Sequence, residues 1–271
     1  MPNPLDALPP CTVIAHRGAS RERPENTLEA IRLALEEGAH AVEIDLKRTA
    51  DGVVVLMHDA TVKRTTGVAG TLHRMTYREV AALDAGRGFH PYPGRHSVPR
   101  LEEVLETVAR RTWLNLELTN YPTPLDDLPE RVAGILLAAG YLQKVWVSSF
   151  NPVALWRFRR ALPRVPLGLL VGGRGGLTLT RGLWIRLLRT EAVHPHRGHL
   201  SRSWWRHWQK RGLRVFVYTI NEPRAMAEAF QAQVDGIFTD VPQRALEVRA
   251  RICTSASPHA MGAPNALSPS G

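Results

Sequence analysis

Cysteine is scarce in this 271-residue chain: only Cys11 and Cys253 occur. They form no C-x-x-C pair, which argues against a thiolate zinc site or a disulfide-dense scaffold. Two free thiols in a reducing cytoplasm are the default expectation. Also missing is any apolar run of about 18 residues, so no membrane-spanning helix is expected. The opening MPNPLDALPP has neither the charged start nor the apolar core of an export signal. A soluble, cytoplasmic protein follows from these absences. Zinc-finger and RNP signatures are absent too, which matters because the formal net charge is +10 and Arg far outnumbers Lys. A basic surface attracts phosphate esters, anionic membranes or nucleic acid. The arginines are spread over the whole chain, with no single basic arm, so nucleic acid is not the expected partner.

What is present is a strand–helix rhythm long enough for one large domain with a full core, at 44% hydrophobic content. Residues 13–15 are a β-branched run that breaks into His16-Arg17-Gly18, the pattern of a buried strand opening into a loop. Asn26 and Thr27 can cap a helix whose Leu28, Ile31 and Leu35 are helically spaced and which Gly38 ends. A strand over 41–46 carries Glu43 and Asp45, which share a face because side chains two apart on a strand point the same way. A third apolar run, 53–57, delivers His58 and Asp59.

Alternation lapses over about 60–100, a Gly-, Pro- and Arg-rich stretch that reads as a small insertion after the second βα region. Within it Thr76 can open a short helix through a capping box with Glu79. His73, His90 and His96 are expected on its solvated surface. From 101 the rhythm returns, with helices predicted over 101–108, 128–139, 204–210 and 223–231. Strands are predicted over 113–118, 145–149, 165–171, 192–194, 214–219 and 236–239. Between them lie a glycine loop at 172–176 and an apolar segment, 177–189, flanked by arginines. With 53–57 taken as a hairpin-like extension of the second strand, the count is eight. Eight βα units specify an α/β fold, the closed (β/α)8 TIM barrel.

The expected organisation is a flexible N-terminal lead over 1–11, which could also plug the barrel bottom, a catalytic barrel over 12–251, and a disordered Ser-, Ala- and Pro-rich tail over 252–271. The start of the first strand and the end of the last helix both lie at the barrel bottom. A Cys11–Cys253 bridge is therefore the alternative to two free thiols.

Glu43, Asp45 and Glu117 offer three hard oxygen ligands that a barrel would bring together, a set suited to Mg²⁺ or Ca²⁺. Salt bridges to Arg or Lys are the competing role. His16 and His58 stand at strand ends beside that set and can share proton transfers as acid and base. A metal and Arg17 would hold an anionic group such as a phosphate ester. His194-Pro195-His196 has the H-x-H form of a transition-metal pair but sits at the sixth strand, so His194 is placed in the pocket wall. His199 is expected to be exposed. The segment 177–189 is read first as an outer barrel helix and second as a transient membrane-surface contact.

These residues resemble the glycerophosphodiester phosphodiesterase family through His16-Arg17-Gly18, Pro24-Glu25-Asn26-Thr27, Glu43-x-Asp45, Asp51-Gly52 and His58-Asp59. The likeness continues through Arg64-Thr65-Thr66, Asn115-x-Glu117, Ser148-Ser149-Phe150 and the 235–240 segment Asp-Gly-Ile-Phe-Thr-Asp. It implies a TIM barrel with a small extra subdomain and a hydrolase of lipid metabolism that converts glycerophosphodiesters to glycerol 3-phosphate and an alcohol. It also implies Glu43, Asp45 and Glu117 as metal ligands, with His58 as base and His16 as acid. The nucleophile it implies can be the substrate's own glycerol hydroxyl, through a cyclic phosphate. Two positions depart from the pattern: Thr119 where Lys is common, and Tyr218 where Trp is frequent. Both, with Phe150, are expected in the pocket wall. Lysophospholipase D activity, or a silent barrel binding polyanions or membranes, are the alternatives.

Overall fold

The computed structural model describes residues 2–89, 94–172, 179–200 and 205–253. Among them, nine strands form one sheet: β1 (Thr12–His16), β2 (Ala41–Arg48), β3 (Val54–Leu56), β4 (Trp113–Leu118), β5 (Val145–Ser149), β6 (Leu167–Val171), β7 (Ala192–Pro195), β8 (Arg214–Val217) and β9 (Gly236–Thr239). Eight run parallel, and β1 pairs with both β2 and β9, closing the (β/α)8 barrel. The ninth, β3, lies antiparallel on β2, the hairpin-like extension predicted for 53–57.

The helices are α1 (Leu28–Glu36), α2 (Lys63–Thr66), α3 (Tyr77–Ala81), α4 (Leu101–Val108), α5 (Leu128–Ala138), α6 (Pro152–Ala161), α7 (Leu179–Leu188), α8 (Trp205–Gln209), α9 (Pro223–Gln231) and α10 (Pro242–Cys253). Their starts follow local chemistry. The Thr27 hydroxyl accepts from the Ala30 amide to cap α1, Thr76 and Glu79 form the capping box of α3, and Pro152 opens α6 behind an Asn151 cap.

Strand alternation separates two apolar layers. Val42, Ile44, Leu46, Leu114, Leu116 and Leu118 face outward and are buried with Ile31, Val104, Val132 and Phe158 of the helices. Inside the barrel bottom, Ile14, Ala41, Trp146, Phe216 and Phe238 surround Leu5 and Leu8. Burial of each leucine contributes about 2 kcal/mol. The lead, expected to be flexible, is therefore ordered over its apolar part: a 3-10 turn at Pro4–Ala7 plugs the barrel. Arg214 fastens it, donating to the Leu5 and Leu8 carbonyls while pairing with Asp235.

The default of free thiols is overturned. Cys11, just before β1, and Cys253, at the end of α10, are disulfide-bonded, the alternative that their shared place at the barrel bottom allowed. The helix also runs through 252 and 253, where the tail was expected to begin. Residues 254–271, the 173–176 part of the glycine loop, and His90 lie outside the described residues.

The insertion has a core of its own, with Val55, Met57, Val62, Leu72, Val80, Leu83, Ala85 and Val98 buried together. His96 belongs inside, not on the solvated surface: it is 4% exposed, with Nδ1 at 3.5 Å from Glu29. His199 is likewise buried, its Nε2 at 3.0 Å from the Gly172 carbonyl oxygen.

Candidate active site

The strand register assembles the site at the C-terminal ends of the barrel strands. His16 on β1 is level with Glu43 on β2, and Asp45 is level with Glu117 on β4. Ligand oxygens of Glu43, Asp45 and Glu117 lie within 4.8 Å of one another. Glu43 and Asp45 are each 1% exposed. Beyond β1 the chain turns sharply, with Arg17 and Gly18 at φ of 59° and 83°. A Cβ on Gly18 would sit 2.5 Å from the Ala30 backbone, so glycine is required for α1 to approach. The turn aims the Arg17 amide at Glu43 Oε2 (2.9 Å).

Three carboxylates so close disturb one another's ionisation. Burial first, and then repulsion from Asp45 and Glu117, raises Glu43 well above the usual carboxylate range. Burial and the charge of Asp45 push Glu117 up to about 8. Burial is the largest single influence on Asp45 and pushes it up, but the Arg17 guanidinium, 2.9 Å away, together with His58, His16 and the Asn26 hydrogen bond, holds this carboxyl low. Asn26 clamps the same residue twice, through Oδ2 (2.9 Å) and the backbone amide (3.1 Å). The salt-bridge role for the acids is thus realised at Asp45, while Glu43 Oε1 is buried with no hydrogen-bond partner. A buried, unpartnered carboxylate oxygen is costly unless a cation completes it. The all-oxygen donor set fits a hard divalent ion.

Each histidine is backed by a carboxylate. His16 Nδ1 lies 2.7 Å from Asp240 Oδ1, and His58 Nδ1 lies 2.7 Å from Asp59 Oδ1. The two carboxylates are held differently. Asp240 is supported by neutral donors, Ser20 and Asn221. Asp59 meets Arg64, whose Nε is 2.5 Å from Oδ2. The same guanidinium donates twice to Glu25, both at 2.7 Å, and Glu25 also accepts from Arg17 (3.0 Å). A continuous ionic chain therefore runs from His58 through Asp59, Arg64, Glu25 and Arg17 to Asp45.

These groups open into a cavity of about 430 Å³, lined by His16, Arg17, Glu43, His58 and Glu117 on one side and Phe150, His196, Arg197, Tyr218 and Phe238 on the other. Comparison with known proteins fits this geometry. Residues 16–244 match the glycerophosphoryl diester phosphodiesterase family. The chain belongs to that family. It is 33% identical over 234 residues to a glycerophosphodiester phosphodiesterase of Caldanaerobacter subterraneus, covering 85% of this chain and 94% of that protein. It is 30% identical to one of Bacillus altitudinis, covering 88% and 97%. Among solved structures, an Oleispira antarctica phosphodiesterase in complex with the product sn-glycerol-3-phosphate superposes with a TM-score of 0.78 at 27% identity, covering 90% of this chain and 98% of that one. The chain is thus a glycerophosphodiester phosphodiesterase, a phosphoric diester hydrolase.

Within this phosphodiesterase site the structure gathers His16, His58, Arg17, Glu43, Asp45 and Glu117, and places Phe150 and Tyr218 in the wall as the sequence predicts. Two wall assignments are corrected. His194 is fully buried beneath the cavity, its ring 5.8 Å from Phe216 and 5.0 Å from Phe238, and burial lowers it to about 3. It packs there because Gly168 leaves room: a Cβ at 168 would lie 2.6 Å from its Nε2. His196, two residues on, reaches the cavity instead. Thr119 is also fully buried, its hydroxyl donating to the Leu46 carbonyl. The ammonium of Lys47 donates to the Thr119 hydroxyl (2.9 Å) and carbonyl. Lys47 shares the inward face of β2 with Glu43 and Asp45, a placement that the i, i+2 spacing could have revealed. Burial lowers it to about 8 against the pull of Asp45 and Glu117. Asp240, Arg64 and Glu25 are the other residues that sequence reasoning quoted without a role.

Proposed function

We propose that this phosphodiesterase hydrolyses glycerophosphodiesters such as glycerophosphocholine and glycerophosphoethanolamine to glycerol 3-phosphate and the free alcohol, with a divalent ion, Mg²⁺ or Ca²⁺, as cofactor. The observation that carries the reading is one cavity edge holding two carboxylate-backed histidines beside a three-carboxylate cluster with an unpartnered oxygen at Glu43. Glu43, Asp45 and Glu117 would hold the ion, which supplies charge to a phosphoryl oxygen. Arg17, already oriented by Glu25 and Asp45, adds a fixed positive charge at the same edge. Lys47 brings a further cation to the site where the family's common lysine is replaced by Thr119.

The two histidines divide the proton transfers. His58 accepts the proton of the glycerol hydroxyl as it bonds to phosphorus, and His16 gives one to the departing alkoxide oxygen, leaving a cyclic phosphate. Water then opens this ring, with the two proton transfers reversed, to give glycerol 3-phosphate. The difference between their partners supports this order. Among the described residues Asp240 meets His16 and otherwise neutral donors, whereas Asp59 also pairs with Arg64. A sugar-phosphate-sized product is consistent with the sn-glycerol-3-phosphate held by the Oleispira protein. A cytoplasmic location was expected from the lack of an export signal. The Cys11–Cys253 bond points the other way, since such bonds persist mainly in oxidising surroundings.

The test is product analysis. Wild type should release glycerol 3-phosphate and choline from glycerophosphocholine, and His16→Ala and His58→Ala should lose it. If glycerophosphodiesters are inert while lysophosphatidylcholine yields lysophosphatidic acid, the lysophospholipase D alternative holds.

A further inference from the structure

The arginines are spread along the chain, but the acids are not. Residues 131–221 contain 16 Lys and Arg and a single acid, Glu191, whereas the other 180 residues carry 19 basic and 24 acidic residues. In the barrel the described part of this stretch runs from within α5, just after Glu130, through β8, one side of the closed sheet. The positive charge of the protein is therefore concentrated on one sector, and the remainder is net acidic.

Among the described residues, that sector also holds five of the eight large apolar side chains that reach solvent, although Leu125, the most exposed, lies outside it. Leu183 and Leu187, one turn apart on α7, are 56% and 62% exposed, and Trp156 on the neighbouring α6 is 45% exposed. Arg160 lies over the Trp156 ring at 5.0 Å. Within the sector Arg157 and Arg159 meet Glu130 and Glu191. The exposed Arg160, Arg164, Arg186 and Arg189 have no carboxylate partner among the described residues. Elsewhere on the surface, exposed arginines are mixed with acids and some pair with them, as in Arg100–Glu103, Arg224–Glu228 and Arg244–Glu247.

We propose that the α6–α7 side of the barrel is a docking face for an anionic lipid bilayer. Unpaired arginines beside exposed leucines and a tryptophan match the two requirements of interfacial binding, attraction to acidic head groups and insertion of apolar side chains. The leucine pair decides between polyanions: a nucleic acid backbone would use the arginines and leave Leu183 and Leu187 in water. The same sector supplies the cavity wall, through Phe150, His196, Arg197 and Tyr218. Docking there would set the mouth of the site beside the surface from which phospholipid breakdown products come. The docking itself is independent of which diester is cleaved.

The experiment is flotation of the full chain with phosphatidylcholine vesicles, with and without about one-third phosphatidylglycerol. The protein should float only with the anionic vesicles, less as salt rises. Arg160→Glu with Arg186→Glu should lower binding at least about tenfold, from two charges each worth about fivefold and their reversal. Leu183→Ser with Leu187→Ser should weaken it at unchanged net charge. Circular dichroism and hydrolysis of soluble glycerophosphocholine should stay as in wild type for both pairs. Failure to float with anionic vesicles overturns the proposal. So does binding that is insensitive to the leucine pair and displaced equally by duplex DNA, which would mark a general polyanion surface.

Discussion

The two ends of the barrel are built on opposite terms. At the bottom the charge is answered: Leu5 and Leu8 fill the apolar well, Arg214 meets carbonyls and Asp235, and a disulfide joins the two ends of the described fold, while the Trp146 indole N–H is buried there without a partner. At the top, three carboxylates crowd together, burial and mutual repulsion raise two of them above the ordinary carboxylate range, and Glu43 Oε1 is buried with no partner. The bottom leaves apolar groups packed and charges paired, while the top buries carboxylates against one another. Stability and chemistry are thereby assigned to different ends, the division of labour expected of this barrel.

The sharpest way to break the comparison is to exchange its terms. Glu43→Ala should cut turnover by about three orders of magnitude or more while leaving thermal stability equal or higher, because a crowded carboxyl with an unpartnered oxygen is removed. Activity assayed beside a thermal melt checks both halves. Conversely, Cys11→Ser with Cys253→Ser should leave turnover unchanged and cost about 3–5 kcal/mol of stability, or roughly 10 °C in Tm, since the bond closes nearly the whole chain. A loss of kcat in the serine variant would show that the ends are not separate.

A second contrast lies within the top. Arg64→Gln releases Asp59 and should lower kcat by about tenfold with KM little changed, and Asp59→Asn should make the Arg64 substitution silent, because both act through His58. Asp240→Asn acts on His16 and should add independently to either. A double-mutant cycle with pH–rate profiles separates these outcomes.

The smallest effect concerns pH. In metal-free protein Glu117 has its native pKa raised from 4.5 to about 8. Glu117 alone makes stability fall as pH rises from about 4.5 to 8. His40 and His194, lowered by burial from 6.5 to about 4 and about 3, act the opposite way below about 6.5, so the decline should show between about pH 6.5 and 8. Asp45, shifted down, loses stability only on acidification below that window. A bound divalent ion should cancel the decline, and Glu117→Gln should flatten it. Melts of EDTA-treated protein between about pH 6.5 and 8 read the slope; a rise in Tm with pH over that range would contradict the crowded-carboxylate account.

How much of this was legible in the sequence follows contact range. The eight-strand count, the capping of α1 and α3, and the paired faces of Glu43 and Asp45 rest on periods of a few residues, which the sequence displays directly. The partners that tune the site are 39 residues apart for Glu25 and Arg64, and 224 apart for His16 and Asp240. No local pattern encodes such pairings. His194 was misplaced for a related reason: strand alternation shows that 194 and 196 share a face, but not how deep each lies along the barrel axis. The cysteines were read from composition, which favours free thiols, and only closure of the barrel brings residues 11 and 253 together.

The central claim is that Glu43, Asp45 and Glu117 form a divalent-ion site without which the histidines do not turn over substrate. The most direct measurement is glycerophosphocholine hydrolysis by EDTA-stripped protein titrated with Mg²⁺, Ca²⁺ or Mn²⁺, run beside Glu43→Gln. The account predicts no turnover without metal, saturable recovery with at least one ion, and no recovery in the variant at matched concentrations. Full activity in the stripped protein, unchanged by added ions, would contradict it.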